Sequence, residues 1–356
     1  MENLELSSSF WNAKRVLITG HTGFKGGWLA IWLHRLGATV AGYSLPPTTE
    51  PNFFTEAHVA NCLLSEFGDI RDAEQLGNFV ADFQPEIIIH MAAQALVRRS
   101  YTDAVETYSS NVMGTVNVLE AARQCQSVRA IVNVTTDKCY ENLEREEGYR
   151  EGEPLGGHDP YSSSKACAEL ITSSYRRSFN LPVASARAGN VIGGGDWAED
   201  RLIPDMMRSF MAGDAAVIRN PASTRPWQHV LEPLSGYLTL AERLYNSPSG
   251  FAEAWNFGPE DNDAKPVEWL ADRLVDLWGV PASWSNAAAA DQAHEAGFLR
   301  LNCEKARDRL GWKPKLNLNQ ALSWSVDWYK CFHDGADVRA LTETQITKFT
   351  TGTDQH

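Results

Sequence analysis

Arg15-Val16-Leu17-Ile18-Thr19-Gly20-His21-Thr22-Gly23-Phe24-Lys25-Gly26 is the stretch that decides the fold. Its first five residues form a short, β-branched apolar run, which reads as a buried strand of a parallel sheet. Three glycines at a spacing of three follow. From Gly27 to Leu36 the apolar residues Trp28, Leu29, Ile31, Trp32, Leu33 and Leu36 recur at helical spacing, and Gly37 ends the helix. Thr39-Val40-Ala41-Gly42-Tyr43 is a second strand. Strand, glycine-rich turn, helix and strand make a βαβ unit whose first turn suits a dinucleotide. Gly20 permits the tight turn, Gly23 lets the backbone approach a pyrophosphate, and Gly26 lets the helix pack on the strand. The free N–H groups of the first helical turn then face the phosphates. Gly20, Thr22, Gly23, Phe24 and Lys25 are the candidate cofactor contacts of this loop.

Outward from that unit, the chain alternates strands and helices. After the second strand comes Ser44-Leu45-Pro46-Pro47. It offers no acidic residue for a ribose 2′-OH and no arginine for a 2′-phosphate, so NAD and NADP both stay open there, with Ser44 as the candidate ribose contact. Glu86 to His90 reads as the fourth strand, and Met91-Ala92-Ala93-Gln94 follows; two alanines at a strand end let backbone come close to a ligand. Asn111 to Cys125 reads as a long helix. Ala130 to Val134 is a fifth strand that delivers Thr135-Thr136-Asp137-Lys138. Ligands of open α/β sheets bind beyond the carboxyl ends of the strands, so a hydroxyl, a carboxyl and an amine at that place point to chemistry. The plain alternative is a strand-ending turn whose Asp caps the next helix.

Asp159-Pro160 reads as the N-cap and first residue of a further helix. On it Tyr161 and Lys165 lie four apart and share one face. A free tyrosine has a pKa of about 10, too high for a base at neutral pH. A lysine one turn along, together with a nicotinamide cation, would stabilise the phenolate. Leu181 to Arg187 is a sixth strand. Beyond about residue 188 the chain becomes turn-rich and then mixed: a helix from Pro204, a strand Ala216–Ile218, a helix Leu231–Tyr245, a strand Ala254–Phe257, and helices from Val267 and Asn302. The expected division is residues 1–188 for the dinucleotide, 189–340 for the substrate with segments returning to the first part, and a loosely ordered polar, Thr-rich tail at 341–356.

Composition excludes several classes. The chain has 356 residues, 43% of them hydrophobic, enough for a large core. Its formal net charge of -13 argues against a nucleic-acid surface. Six cysteines are scattered without metal spacing, which reads as reduced thiols in a cytoplasmic protein and no metal site. Met1 to Asn12 has no signal-peptide core, and no apolar run approaches the ~20 residues of a membrane span. Twelve tryptophans read as core or subunit-contact residues.

The string TGHTGFKG, with Tyr161 and Lys165 in the right chain order, resembles the short-chain dehydrogenase/reductase superfamily, in particular its extended branch. The resemblance implies an α/β fold with a Rossmann-type doubly wound parallel sheet and a smaller mixed α/β C-terminal substrate domain. It also implies that Asp69 and Ile70 flank the adenine, that Ala92, Ala93 and Gln94 lie at the cofactor's phosphates and ribose, and that Asn111 braces the active-site strands. Helices such as the one after Asn111 form dimer contacts in that superfamily, so a homodimer or homotetramer is expected. The longer strings TTDKCYEN (135–142), RAGNVIGGGDW (187–197) and RPWQHVLEPLSGYL (225–238) are similar to the CDP-glucose 4,6-dehydratases within that branch.

That resemblance implies NAD as cofactor and CDP-glucose as small-molecule substrate. In the implied reaction Tyr161 removes the 4-OH proton as hydride leaves C4, with Thr136 and Lys165 assisting; the 4-ketone acidifies C5–H; water leaves from C6; and the hydride returns to C6. Asp137 fits the acid for the C6 hydroxyl. Lys138 stands where related dehydratases carry Glu. It is either a neutral base for C5–H or a charged stabiliser of the enolate. Arg187, Asn190, Arg201, Leu202, Arg219, Arg225 and His229 are the candidate nucleotide-sugar contacts; for each arginine the plain alternative is a surface salt bridge. Two rival readings remain at this level. A 4-epimerase, or a dehydratase of another nucleotide sugar, shares the Tyr/Lys pair, though an epimerase needs no acid for C6. A silent dinucleotide-binding regulator would have no need of an intact pair.

Overall fold

The computed structural model of the protein describes residues 8–287 and 299–352. Seven strands form its central sheet: β1 (Arg15–Thr19), β2 (Thr39–Ser44), β3 (Leu64–Phe67), β4 (Ile87–His90), β5 (Ala130–Val134), β6 (Val183–Ala188) and β7 (Ala254–Phe257). Their order is β3-β2-β1-β4-β5-β6-β7, and all six pairings are parallel. This is the doubly wound Rossmann-type sheet expected from the βαβ pattern. β5 and β6 are buried along their whole length, which is why they read as unbroken runs rather than alternations. The chain winds outward from β1 to β3, then returns to β4 on the other side of β1. The crevice for a ligand opens at that reversal, beyond the carboxyl ends of β1 and β4.

The helices that cover the sheet are α1 (Phe24–Arg35), α2 (Ala73–Phe83), α3 (Gly114–Gln124), α4 (Pro160–Phe179), α5 (Leu202–Ala212), α6 (Leu231–Asn246), α7 (Val267–Trp278), α8 (Leu318–His333) and α9 (Val338–Thr351). Successive residues of a strand face opposite layers. Val16 and Ile18 meet a large core that includes Trp28, Leu234, Trp328 and Ile346. Leu17 meets a smaller one built from Leu76, Val80, Val118 and Leu119 of α2 and α3. α6 lies against β5 and β6, and β7 adds to the free side of β6 with Asn256 opposite Arg187. Residues 231–257 therefore belong to the central layers, although they follow the turn-rich stretch at 188–197.

One expectation about the later chain holds and another needs correction. The helix expected from Asn302 is present but short, covering residues 304–310 and ending in a π-helical turn at Ala306–Leu310. The tail beyond 340 forms α9 instead of a loose segment; residues 353–356 of that expected tail, like 1–7 at the other end, lie outside the described residues. Its buried positions, Val338, Thr342, Gln345, Ile346 and Phe349, recur every three or four residues, so two threonine-rich turns still present one packing face. Phe349 meets Trp32 edge-on at 5.7 Å, Trp328 Nε1 donates to Thr342 Oγ1 at 3.0 Å, and Gln345 Nε2 donates to the Trp324 carbonyl at 2.9 Å. Among the described residues no helix is long and apolar enough to cross a membrane.

Candidate active site

The turns after β1 and β4 are pressed together. Thr19 pairs with His90, and Thr19 Oγ1 accepts the N–H groups of Met91 at 3.1 Å and Ala92 at 3.2 Å. Gly20 has φ 82°, and a Cβ on it would stand 2.8 Å from the Ala92 nitrogen; a Cβ on Gly26 would stand 2.1 Å from the Gly20 carbonyl. Only bare backbone fits this cradle. α1 starts from Gly23 with no side chain capping it, so its first N–H groups remain for an anionic ligand. The residues present thus fit a dinucleotide pyrophosphate.

The flanking candidates divide. Thr22 Oγ1 meets Ser44 Oγ at 2.8 Å and donates to the Leu45 carbonyl at 2.9 Å, so Ser44 closes the loop through Thr22. The Asp69 carboxylate is gripped by Arg71, with Nε to Oδ1 at 3.0 Å and to Oδ2 at 2.9 Å, which holds it below the usual carboxylate range. Ile70 is buried against Gly114. Gln94 is a correction. Its Nε2 donates to the Leu96 carbonyl and Thr107 Oγ1, and its Oε1 accepts from Leu96 N at 2.6 Å, so the side chain closes its own turn and is not aimed at a ligand. Asn111 sits in a single π-turn at Ser109–Met113. It accepts from Gln94 N and donates to the Gln94 carbonyl and to Ser164 Oγ, tying the end of β4 to α4.

Thr136-Asp137-Lys138 leaves β5 in one tight turn. The cap of that turn is Thr136, whose Oγ1 accepts from Lys138 N at 3.3 Å. Thr136 Oγ1 donates to Asp137 Oδ1 at 2.9 Å. Lys138 Nζ lies 3.9 Å from the same oxygen, with the Asp137 side chain 2% and the Lys138 side chain 33% exposed. α4 faces this turn. Asp159 caps it by accepting from Ser162 N at 2.9 Å, with Pro160 in its first turn. Tyr161 reaches Thr136, and Lys165 Nζ donates to the Val134 carbonyl at 3.2 Å. Burial pushes the Tyr161 phenol up to about 12, opposed by the Thr136 hydrogen bond and the Arg201 charge. Burial also pulls Lys165 down to about 8, against the pull of Glu169. Lys25 joins them: desolvation, then the Arg201 and Lys165 charges, bring it down to about 7. Three cations thus converge where a phenolate and a diphosphate would both be stabilised.

Two proposed substrate contacts are core residues instead. Arg187 is 3% exposed and donates to Glu169 Oε2 at 2.8 Å and to Tyr140 OH at 2.7 Å. The buried carboxylate of α4 claims its guanidinium before any ligand can. His229 is fully buried, edge-on to Trp28 at 5.8 Å and Trp324 at 5.6 Å, and desolvation lowers its pKa to about 3. Asn190 Nδ2 is buried without a hydrogen-bond partner. Arg201 pairs with Asp196 at 2.8 Å, just before Leu202 opens α5. Arg219 pairs with the half-exposed Asp200 at 2.8 Å, and Arg225 donates to the Thr224 carbonyl at 3.0 Å. A cleft of about 310 Å³ runs between Asp137, Gly189, Pro226, Glu260 and Arg300. Arg300 had no local sequence signal. Glu169 did have one, since it lies four residues beyond Lys165.

The family described as the NAD dependent epimerase/dehydratase family matches residues 16–258, from β1 to just past β7. The chain belongs to that family. Among curated members, the CDP-glucose 4,6-dehydratase of Salmonella typhimurium is 51% identical over 98% of this chain and 99% of its own. The dTDP-glucose 4,6-dehydratase of Streptomyces antibioticus is 28% identical over 88% of this chain and 92% of its own. Among solved structures of the epimerase/dehydratase family, the dTDP-glucose 4,6-dehydratase of Streptomyces venezuelae with NAD bound superposes with a TM-score of 0.77 at 25% identity, over 91% of this chain and 99% of that one.

Proposed function

We propose that this chain is an NAD-dependent nucleotide-sugar 4,6-dehydratase that converts CDP-D-glucose to CDP-4-dehydro-6-deoxy-D-glucose and water. The observation that carries this reading is the buried Thr136-Asp137-Lys138 turn beside Tyr161 and Lys165, in a chain half identical to a CDP-glucose 4,6-dehydratase end to end. Gly20, Thr22, Gly23, Phe24 and Lys25, with Ala92 and Ala93 across the crevice, hold the cofactor. Bound NAD supplies a reversible hydride acceptor, so that the hydride lost from C4 is the one returned to C6.

Tyr161 takes the proton of the 4-OH, and Thr136 holds that oxygen in line. Lys165, kept protonated, stabilises the phenolate. With a ketone at C4, the C5 proton becomes acidic. Asp137 and Lys138 then act as one couple. As an ion pair they hold a single exchangeable proton, and elimination needs that proton on Asp137. Lys138, left neutral, removes the C5 proton, while Asp137 protonates the departing C6 hydroxyl; as hydride returns to C6, the Lys138 ammonium gives its proton back to C5. The proton taken up at Tyr161 balances the one that Asp137 gives to water. Incubation with CDP-glucose and NAD tests the reading: product lighter by one water supports it, and unchanged mass opposes it.

We infer that residues after 188 supply the sugar-nucleotide side of the cleft through Asn190, Arg201, Leu202, Arg219 and Arg225. Tyr101, Val105, Met113 and Leu170 are exposed apolar side chains around α3 and α4, a surface suited to pairing two copies. Six free thiols fit a reducing, cytoplasmic setting.

A further inference from the structure

Tyr161, Lys165 and Glu169 are spaced i, i+4 and i+8 on α4, so they line one face. That face meets three successive residues at the end of β5. Tyr161 reaches Thr136, Lys165 Nζ donates to the Val134 carbonyl at 3.2 Å, and Glu169 Oε1 accepts from Thr135 Oγ1 at 2.5 Å. The other Glu169 oxygen accepts from Ser185 Oγ at 2.6 Å and Arg187 Nη2 at 2.8 Å. A carboxylate 3% exposed and bound by three donors is held still and charged. We propose that Glu169 is a positioning residue of the reaction, fixing the Thr135–Thr136 turn and keeping the Lys165 ammonium protonated beside Tyr161.

Electrostatics agree with that geometry. Burial alone would raise the Glu169 carboxyl, but Arg187, Ser185 and Thr135 hold it below its ordinary value. Lys165 is faced by Lys25 of α1, by His90 of β4 and by the buried Cys139 thiol. His90 is neutral, its pKa brought down to about 3 by burial and the Lys165 charge. Lys25 opposes the Lys165 charge, and Glu169 favours it. Loss of the Glu169 charge therefore moves Lys165 deprotonation to lower pH. Less cation at Lys165 also moves Tyr161 ionisation to higher pH, so the window of activity narrows from both sides.

The proposal rests on the dehydratase reading for its kinetic arm but not for its titration arm. Glu169→Gln leaves the buried Arg187 guanidinium unpaired and risks the fold, so Thr135→Val, which keeps the ion pair, is made beside it. In 13C-lysine-labelled, NAD-saturated protein, the Lys165 signal is assigned by its loss in Lys165→Met. In Glu169→Gln its titration midpoint should fall by about one pH unit. With CDP-glucose, Thr135→Val should lower kcat about ten-fold through loss of a charge-assisted hydrogen bond, at nearly unchanged KM, and Thr135→Ser should restore it. An unmoved Lys165 midpoint in folded Glu169→Gln overturns the proposal, as does wild-type kcat in Thr135→Val. If Glu169→Gln does not fold, Lys165 titration in Thr135→Val decides, with an unchanged midpoint and kcat counting against it. A wild type that ignores CDP-glucose sinks the dehydratase reading alone, and the titration still judges Glu169.

Discussion

Asp137 and Lys138 are neighbours in sequence, yet the Asp137 side chain is buried in the wall of the cleft while a third of the Lys138 side chain is exposed. That asymmetry lets a single turn carry both an acid and a base. Lys138→Ala should cut formation of 4-keto product at least 100-fold while NAD binding, followed by fluorescence titration, stays intact; near-normal turnover would remove Lys138 from the elimination. Lys138→Arg separates its two roles, since arginine stays charged: it should be as inactive as the alanine variant if the amine acts as base, and substantially active if charge alone matters. Gly189 fixes where Asp137 sits, because a Cβ there would come 2.1 Å from Asp137 Oδ2. Gly189→Ala should therefore fold normally and lose about 100-fold in kcat, the scale of a 1 Å misplacement; wild-type kcat would mean that the carboxylate position is irrelevant. At this scale, residue type and spacing made Tyr161, Lys165 and the Thr136–Lys138 turn legible. They misplaced Arg187 and His229, because nothing local distinguishes an arginine that waits for a phosphate from one already held by a distant carboxylate.

Elements were legible where a strong period coincided with a cap. α4 has Asp159, Pro160 and twenty helical residues, and β1, β2 and β5 appear where their apolar runs lie. α9 was hidden because its packing face mixes Thr and Gln with Val, Ile and Phe. Threonine can bury its methyl and return its hydroxyl to the helix, as Thr342 does to the Val338 carbonyl at 2.7 Å. Phe349→Ala should destabilise the protein by about 3–5 kcal/mol in urea unfolding; a loss under about 1 kcal/mol would show that α9 is not docked. α6 carries a second hidden feature. Glu232 Oε1 accepts from Lys315 N at 2.9 Å and Leu316 N at 2.6 Å, while Oε2 is buried without a partner. Burial raises this carboxyl from 4.5 to about 8. Its folded-state value lies above its unfolded one, so the stabilisation is present in full below about 4.5 and fades as pH rises through about 8. Glu232→Gln, which keeps the acceptor and stays neutral, should remove this contribution from the urea midpoint between pH 5 and pH 9. Parallel pH dependences for variant and wild type would count against a protonated Glu232.

For the whole molecule, the strand order places the cradle of β1, the turn after β4 and the Thr136–Lys138 turn after β5 along one edge of the sheet. The first βαβ unit foretold that arrangement, because parallel sheets with right-handed crossovers allow few others. The addition of β7 beside β6 was less legible. Non-local strand pairing leaves no period in the chain, and only the apolar run Ala254–Phe257 marked it. The central claim is tested most directly by incubating the purified protein and NAD with CDP-, dTDP-, GDP- and UDP-glucose in parallel, and weighing the products by mass spectrometry. The account predicts that CDP-glucose loses one water and that the other three are converted far more slowly. Dehydration of dTDP-glucose alone, or a CDP-sugar of unchanged mass and inverted C4, would contradict it.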